Sequence, residues 1–133
     1  MSTWLLLGAA LAGGLGAGAR YTADTLITSR TRGDFPWGTA LINASGSFLF
    51  GLVMGVWLQT YSKSTAVICV LLIGGLGGFT TFSTATFEAV RLIQRGETVK
   101  AATYALGWLV VCVIAAFAGL AVTVLLDASP SLP

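Results

Sequence analysis

The chain has 133 residues, of which 56% are hydrophobic and only 9% are charged, whereas a soluble domain carries about 25% charged residues. This composition excludes a soluble domain, and a net charge of +2 without any Lys/Arg-rich run gives no basis for nucleic-acid binding. Histidine, the commonest general base at neutral pH, is absent, and no catalytic constellation takes its place. We therefore predict an integral membrane protein of the all-α class that is not an enzyme.

Four apolar segments are each long enough to cross a bilayer, which takes about 20 helical residues. The connections between them are short, which leaves no room for a separate soluble domain. Cys69 and Cys112 lie inside these segments and are interpreted as small buried hydrophobic residues. We predict a single four-helix membrane domain, residues 1–133, with spans at about 3–27, 37–58, 65–93 and 101–126.

The first span is rich in glycine and ends in charged residues. Gly14 and Gly18 form a small-x-x-x-small pair, which predicts close packing against another helix. Arg20 and Asp24 lie one turn apart near the end of the span. They are either an interfacial ion pair at i and i+4 or, alternatively, Arg20 stands at the mouth of an anion pathway.

Polar side chains form one stripe along the second span. Thr39, Asn43 and Ser47 follow one another at steps of four and therefore share a helix face. An amide inside a membrane must bond to another helix or to water, so Asn43 is either a structural link or part of a wetted pathway. Gly51 and Gly55 on the same span form a second close-packing pair.

The third span holds four glycines within residues 74–78, followed by a hydroxyl-rich run at residues 80–84. Each glycine costs about 1 kcal/mol relative to alanine in a helix interior, so the glycine run predicts a helix broken near its centre. Such breaks in membrane helices commonly hold an ion. Glu88 and Arg91, nearer the far end, are interpreted as a structural pair at i and i+3, with a proton or cation carrier as the alternative.

Positive charge is concentrated on one side of the predicted bundle. Four spans place both chain ends and the turn with Lys63 on one side. The other side has or adjoins six basic residues: Arg20, Arg30, Arg32, Arg91, Arg95 and Lys100. The positive-inside bias therefore predicts loops one and three in the cytoplasm and both chain ends outside.

Three segments resemble one known family. From residue 74 to residue 84 the chain reads Gly-Gly-Leu-Gly-Gly-Phe-Thr-Thr-Phe-Ser-Thr, which resembles the signature of the Fluc (CrcB) fluoride channels. The second span, with Trp-Gly-Thr from residue 37, Asn43, Gly-Ser-Phe from residue 46 and Gly51, resembles the second-helix motif of that family. The glycine-rich first span that ends in Arg20 is similar as well.

The resemblance implies a passive channel that exports fluoride across the inner membrane of a bacterium. Its pores form in an antiparallel dimer, made with a second copy of the chain or with a related subunit, in contact with membrane lipid. Backbone carbonyls of Gly77 and Thr80 from both subunits would enclose a structural Na⁺ at the dimer interface. The implied ion pathway has side chains from all four spans: Arg20, Thr39, Asn43, Thr81, Phe82, Ser83 and Tyr104.

The chain departs from the family pattern at three points. Ala85 stands where the family usually has a second pore phenylalanine. Trp108 and Cys112 share a stripe with Tyr104 where the family often has small or polar residues, although such a stripe alone is typical of packing. The charge bias fits one fixed orientation, whereas a dual-topology homodimer should have little bias.

Two alternatives to a self-sufficient channel follow from these departures and from the small size. The first is an orientation-fixed or non-conducting subunit that completes a heterodimeric fluoride channel. The second is a small proton-coupled exporter, which needs a carboxylate in the middle of its first helix. The first acidic residue of this chain is Asp24, at the end of that helix, and this disfavours an exporter.

Overall fold

The structure, a computed structural model, describes residues 3–60 and 63–127, and this part of the chain is helical without a β-strand. The elements are α1 (Thr3–Arg30), α2 (Trp37–Thr60), α3 (Lys63–Phe79), α4 (Phe82–Gln94), α5 (Thr98–Ala102), a π-helical segment (Thr103–Gly107) and α6 (Trp108–Asp127). α3 and α4 are the two halves of the third helix, and α5, the π-helical segment and α6 follow one another as the fourth. The predicted all-α class and the broken third helix are confirmed.

Three helices are long and apolar enough to cross a membrane by length and composition: Trp37–Thr60, Ser64–Gln94 and Thr98–Asp127. α1 is not among them, since glycine and alanine are frequent in it and Arg20 interrupts its apolar run. Most helices extend past the predicted bounds of the spans at one or both ends. α1 continues to Arg30, and its Thr25 and Ser29 hydroxyls donate to carbonyls of the preceding turn.

The helices pack as two close pairs that are not neighbours in the chain: α1 with α3, and α2 with α6. In the first pair the backbones touch. A Cβ added at Gly16 would overlap the carbonyl oxygen of Gly75, and one added at Gly78 would overlap that of Gly13. Small residues on both helices are therefore needed for this approach.

The predicted packing of Gly14 and Gly18 against another helix is not found within this chain. A Cβ at either position would meet no atom within 4 Å, because α1 turns a different glycine face toward α3. The prediction for α2 is confirmed. A Cβ at Gly51 would overlap a backbone carbonyl of α6, and one at Gly55 would overlap the hydroxyl of Thr123.

The third helix breaks later than predicted. The glycines at residues 74–78 are helical and lie within α3, whereas the interruption is confined to Thr80 and Thr81. Thr80 N still donates to Leu76 O at 2.8 Å, but Thr81 is extended, with φ −149° and ψ 123°. The prediction of unwound glycines is therefore wrong. A Cβ added at residue 74, 75 or 78 would lie within about 4 Å of α1 atoms. Contact with α1 therefore keeps the backbone of these three glycines helical.

The loops after α1 and after α4 lie together at one end of the bundle. Each has a glycine with positive φ, Gly33 at 102° and Gly96 at 79°. Arg95 Nη1 lies 3.5 Å from Asp34 Oδ1 and links the two loops. Few side chains are buried, and the largest buried cluster, Ala40, Leu92, Ala101 and Tyr104, is at this end.

Candidate ion pathway

Asn43 on α2 bonds to both backbone groups of Thr81 in the helix break. Asn43 Nδ2 donates to Thr81 O at 2.8 Å, and Thr81 N donates to Asn43 Oδ1 at 2.8 Å. The bond to Asn43 Oδ1 gives an acceptor to the amide that the break removes from the helical ladder, and the other bond adds a donor to the carbonyl of the N-cap residue. The structural interpretation of Asn43 is therefore correct, and Asn43 also lines the cavity described below.

A cluster of hydroxyl groups surrounds the start of α4. Thr81 is its N-cap, and Thr84 N donates to Thr81 Oγ1 at 3.3 Å. Thr81 Oγ1 also donates to Thr84 Oγ1 at 3.1 Å and lies 3.3 Å from Ser83 Oγ. The hydroxyl-rich sequence after the glycines thus caps a new helix, as threonine side chains commonly do.

The carbonyl groups of Gly77 and Thr80 are among those at the end of α3 that have no hydrogen-bond donor. In a continuous helix Thr81 N would donate to Gly77 O, but Asn43 takes that N–H. No backbone or side-chain donor in residues 3–60 and 63–127 bonds to the carbonyl oxygen of Gly77 or of Thr80. Free carbonyl oxygens at a helix C-terminus carry partial negative charge and are the ligands that hard cations prefer.

An open cavity of about 680 Å³ lies between α2, the two halves of the third helix, and the fourth helix. Ala85, Trp108 and Cys112, the three residues that depart from the family pattern, all line it. The side chain of Phe82 is 85% exposed at its wall. The predicted site residues that line the cavity are Asn43, Gly77, Thr80, Thr81, Phe82 and Tyr104.

Thr39, Ser83 and Arg20 do not line this cavity. Thr39 is buried, and Ser83 is exposed on α4.

Arg20 has a buried Nε without a partner among the described residues and forms no ion pair with Asp24. The predicted pair at i and i+4 is therefore wrong. The carboxylate of Asp24 packs instead against α2 at Gly38, where an added Cβ would overlap Asp24 Oδ1.

Glu88 joins three helices through its carboxylate. Thr39 Oγ1 donates to Glu88 Oε1 at 3.0 Å, and Tyr104 Oη donates to Glu88 Oε2 at 2.6 Å. The predicted pair of Glu88 with Arg91 is wrong, since no ion pair between them is present and Arg91 is exposed. The residues predicted for the site do not include Glu88. The signal for it is that a carboxylate in an apolar span needs partners in the protein interior, and Thr39 and Tyr104 are polar residues on other spans.

Aromatic rings cluster around Tyr104 and Trp108, two of the residues that line the cavity. Trp37 and Trp108 meet edge to face with centroids 6.0 Å apart, and Phe35 lies 4.7 Å from Trp37 and 5.6 Å from Tyr104. Tyr104 belongs to the π-helical segment, and such segments are frequent at functional sites. Phe87, the other phenylalanine of α4, is 67% exposed and does not line the cavity.

Comparison with known proteins gives one family for nearly the whole chain. Residues 7–120 match the family model described as CrcB-like protein, Camphor Resistance (CrcB). A protein of Magnetococcus marinus named fluoride-specific ion channel FluC is 40% identical over 113 residues, which are 85% of this chain and 92% of the relative. A Thermus thermophilus protein of the same name is 41% identical over 119 residues, 90% of this chain and 93% of the relative.

The match covers every residue that lines the cavity and both halves of the third helix. Together with the three long apolar helices it identifies a multi-pass membrane protein. The chain belongs to the CrcB family.

Proposed function

We propose that this protein is a passive, fluoride-selective channel that lets fluoride leave a bacterial cytoplasm through the inner membrane. The observation that carries the proposal is the cavity beside the broken helix, where hydrogen-bond donors and an exposed aromatic ring line the same wall. The names of the similar proteins support the choice of fluoride. Conduction of an ion requires no nucleophile, base or redox group.

Fluoride is small and strongly hydrated, so a pore must replace its water with other donors. Asn43 Nδ2 has two hydrogens, of which Thr81 O accepts one, and the second remains for an anion. The Thr81 hydroxyl lines the cavity and can reorient toward a passing ion, and the hydroxyl of Ser83 lies 3.3 Å from it. The exposed ring of Phe82 can present its positive edge.

A structural Na⁺ bound by the carbonyl oxygens of Gly77 and Thr80 is part of this proposal. Both oxygens lack donors, and Gly77 is exposed on the open side of the break, so the residues fit a hard cation. Two carbonyls from one subunit become four in a dimer. When bound, the ion supplies a positive charge that lowers the cost of an anion nearby in low dielectric.

The proposed assembly is an antiparallel dimer with a second copy or with a related subunit, surrounded by lipid. Its support is the open face that carries Gly77 and Phe82, both of which are exposed in the isolated chain. Irregular backbone at membrane depth has to be covered by protein or to line a water-filled cavity. A partner across this face would cover the break.

The proposal is tested by anion efflux from liposomes that contain only this purified chain. A self-sufficient channel made of two copies predicts rapid fluoride efflux and negligible chloride efflux. Replacing Phe82 with isoleucine should slow fluoride by about tenfold or more, which is a rise of about 1.4 kcal/mol in the barrier. Phe87→Ile is the matched control on the same helix and should leave the flux unchanged, because Phe87 is outside the cavity.

Absence of fluoride efflux from folded wild-type protein would contradict a self-sufficient channel. The second candidate function, a subunit that needs an oppositely oriented relative, would then be favoured, since Ala85 and Trp108 alter the wall of the cavity. The variant Ala85→Phe and co-expression with a relative separate the two causes. Recovery with Ala85→Phe indicates a disabled pore, and recovery only with the relative indicates a missing partner.

A further inference from the structure

The helix break is defined by one hydrogen bond that goes to a side chain instead of the backbone. Thr80 N follows the helical rule and donates to Leu76 O at 2.8 Å. The next amide, Thr81 N, would donate to Gly77 O in a regular helix. It donates instead to Asn43 Oδ1 at 2.8 Å.

We propose that Asn43 is a positioning residue that frees the Gly77 carbonyl oxygen for the cation, an inference that rests on the sodium site proposed above. The side-chain oxygen of Asn43 takes the donor that would otherwise occupy Gly77 O. The oxygen of Gly77 therefore keeps its lone pairs for an ion. Asn43 acts on the cation through the backbone of Thr81 and does not need to touch the ion.

The second bond from Asn43 fixes the break in one conformation. Asn43 Nδ2 donates to Thr81 O at 2.8 Å, so one amide group holds both the N–H and the C=O of a single extended residue. A side-chain amide places one acceptor and one donor side by side, as this pair of bonds requires. Serine or alanine at position 43 cannot make both bonds.

The neighbouring turn of α2 is shaped for this contact. An added Cβ at Gly46 would overlap Thr80 Cγ2 and lie 3.3 Å from the ring of Phe79. Glycine at this position therefore lets the break approach α2 closely, three residues after Asn43. This approach brings the side-chain amide of Asn43 within hydrogen-bond distance of the Thr81 backbone.

Asn43 thus connects the two ions of the proposed channel. The side chain lines the cavity, where the Nδ2 hydrogen that Thr81 does not use is available to an anion. Its Oδ1 accepts from Thr81 N and so leaves the Gly77 carbonyl oxygen free for the cation. A role limited to the anion would leave cation affinity independent of residue 43. A role in positioning makes cation affinity depend on it.

The experiment measures the sodium dependence of thermal stability of the purified protein in detergent, with choline replacing sodium. A cation that binds only the folded protein raises Tm as its concentration exceeds Kd. We expect Asn43→Ala to shift the sodium midpoint upward by about 10- to 100-fold, the usual effect of removing a group that orients a metal ligand. Asn43→Asp keeps an acceptor for Thr81 N and should remain closer to wild type.

Ser45→Ala is the matched control, since Ser45 lies on the same helix and its hydroxyl donates only to Ile42 O. Its sodium midpoint should equal that of wild type. Equal midpoints for Asn43→Ala and wild type would overturn the inference even if wild type conducts fluoride. A wild-type protein whose Tm does not respond to sodium would overturn it as well. Absence of fluoride efflux from wild type would instead contradict the proposed channel.

A measurement on the unmodified protein keeps the test informative if Asn43→Ala does not fold. The ¹³C carbonyl resonance of Gly77 should move when sodium replaces choline, while the Thr81 amide proton stays protected from exchange. A Gly77 carbonyl that does not respond to sodium would overturn the inference.

Discussion

At the scale of single residues, the carboxylate of Glu88 shows how polar groups inside this bundle acquire partners from other helices. Its two oxygens accept hydrogen bonds from Thr39 on α2 and from Tyr104 in the fourth helix. A carboxylate in an apolar environment is stable only when such bonds replace water. The stability of the fold therefore depends on the two hydroxyl groups that donate to Glu88.

Tyr104→Phe removes one of these hydroxyls without changing the ring. We expect a loss of about 1–3 kcal/mol in the free energy of unfolding, because Glu88 Oε2 is left without its donor in a half-buried site. Tyr21→Phe is the matched control, since Tyr21 is 75% exposed on α1. Chemical unfolding in detergent measures both, and equal losses in the two variants would contradict a specific role for the Glu88–Tyr104 bond.

Residue types in the sequence identified the polar positions but not how they pair. Thr39, Asn43 and Tyr104 were recognisable because they interrupt apolar spans. Glu88 was assigned to Arg91 because side chains at i and i+3 are neighbours on a helix. The three-dimensional packing overrides this local choice and gives Glu88 two partners from distant parts of the chain. Such choices depend on how helices rotate about their axes, which spacing does not encode.

At the scale of helices, close packing between α1 and α3 depends on which glycine face α1 presents. Gly16 lies against the backbone of α3, whereas Gly14, two positions earlier, faces open space. The two positions are chemically identical in sequence. They differ only in their direction around the helix.

We expect Gly16→Ala to lower the free energy of unfolding by about 1–3 kcal/mol, the usual cost of adding atoms to a packed contact. Gly14→Ala should be neutral or raise it by up to about 1 kcal/mol, because alanine favours a helix over glycine. Thermal unfolding in detergent compares the two variants. The reverse order, with Gly14→Ala the more harmful, would show that α1 uses its other face.

The helices themselves were largely readable from the sequence, while the position of the break was not. Long apolar runs separated by short polar loops predict the number of helices. Helix propensity suggested that the glycines unwind, but contact with α1 at Gly75 and Gly78 keeps them helical. The break falls at Thr81, where the side chain of Asn43 substitutes for the backbone. Propensity could not reveal a partner from another helix.

At the scale of the whole molecule, the sidedness of charge predicts one orientation in the membrane. The loops after α1 and α4 lie at the same end, linked by Arg95 and Asp34, and most of the basic residues are there. Positive loops remain in the cytoplasm during insertion. A chain with this bias should insert in one direction, and its antiparallel partner would then be a related subunit, whereas insertion of this chain in both directions would allow a second copy.

This orientation is tested with single cysteines in a background of Cys69→Ala and Cys112→Ala. We expect Gln59→Cys to react with a membrane-impermeant thiol reagent added to intact cells. Thr31→Cys, at the opposite end, should react only after permeabilisation. Equal labelling of both sites in intact cells would contradict a single orientation and would indicate that the chain inserts both ways.

The arrangement of the bundle could not be read from the order of the spans. Sequence neighbours usually pack together, yet the main pairs here are α1 with α3 and α2 with α6. The faces that meet are distinguished by small residues such as Gly16 and Gly51. Several other glycines, including Gly14 and Gly18, look the same in the sequence, but a Cβ added there would meet no atom within 4 Å in the described chain.

The interleaved pairing of helices also has a consequence for biosynthesis. As the nascent chain leaves the ribosome, α1 enters the membrane before α3 exists, and α2 enters before α6, the last helix, has been made. The glycine faces at Gly16 and Gly51 must therefore remain in contact with lipid or with insertion factors until their partners arrive. A ribosome that stalls before α6 is made therefore leaves a chain whose second helix lacks its main partner.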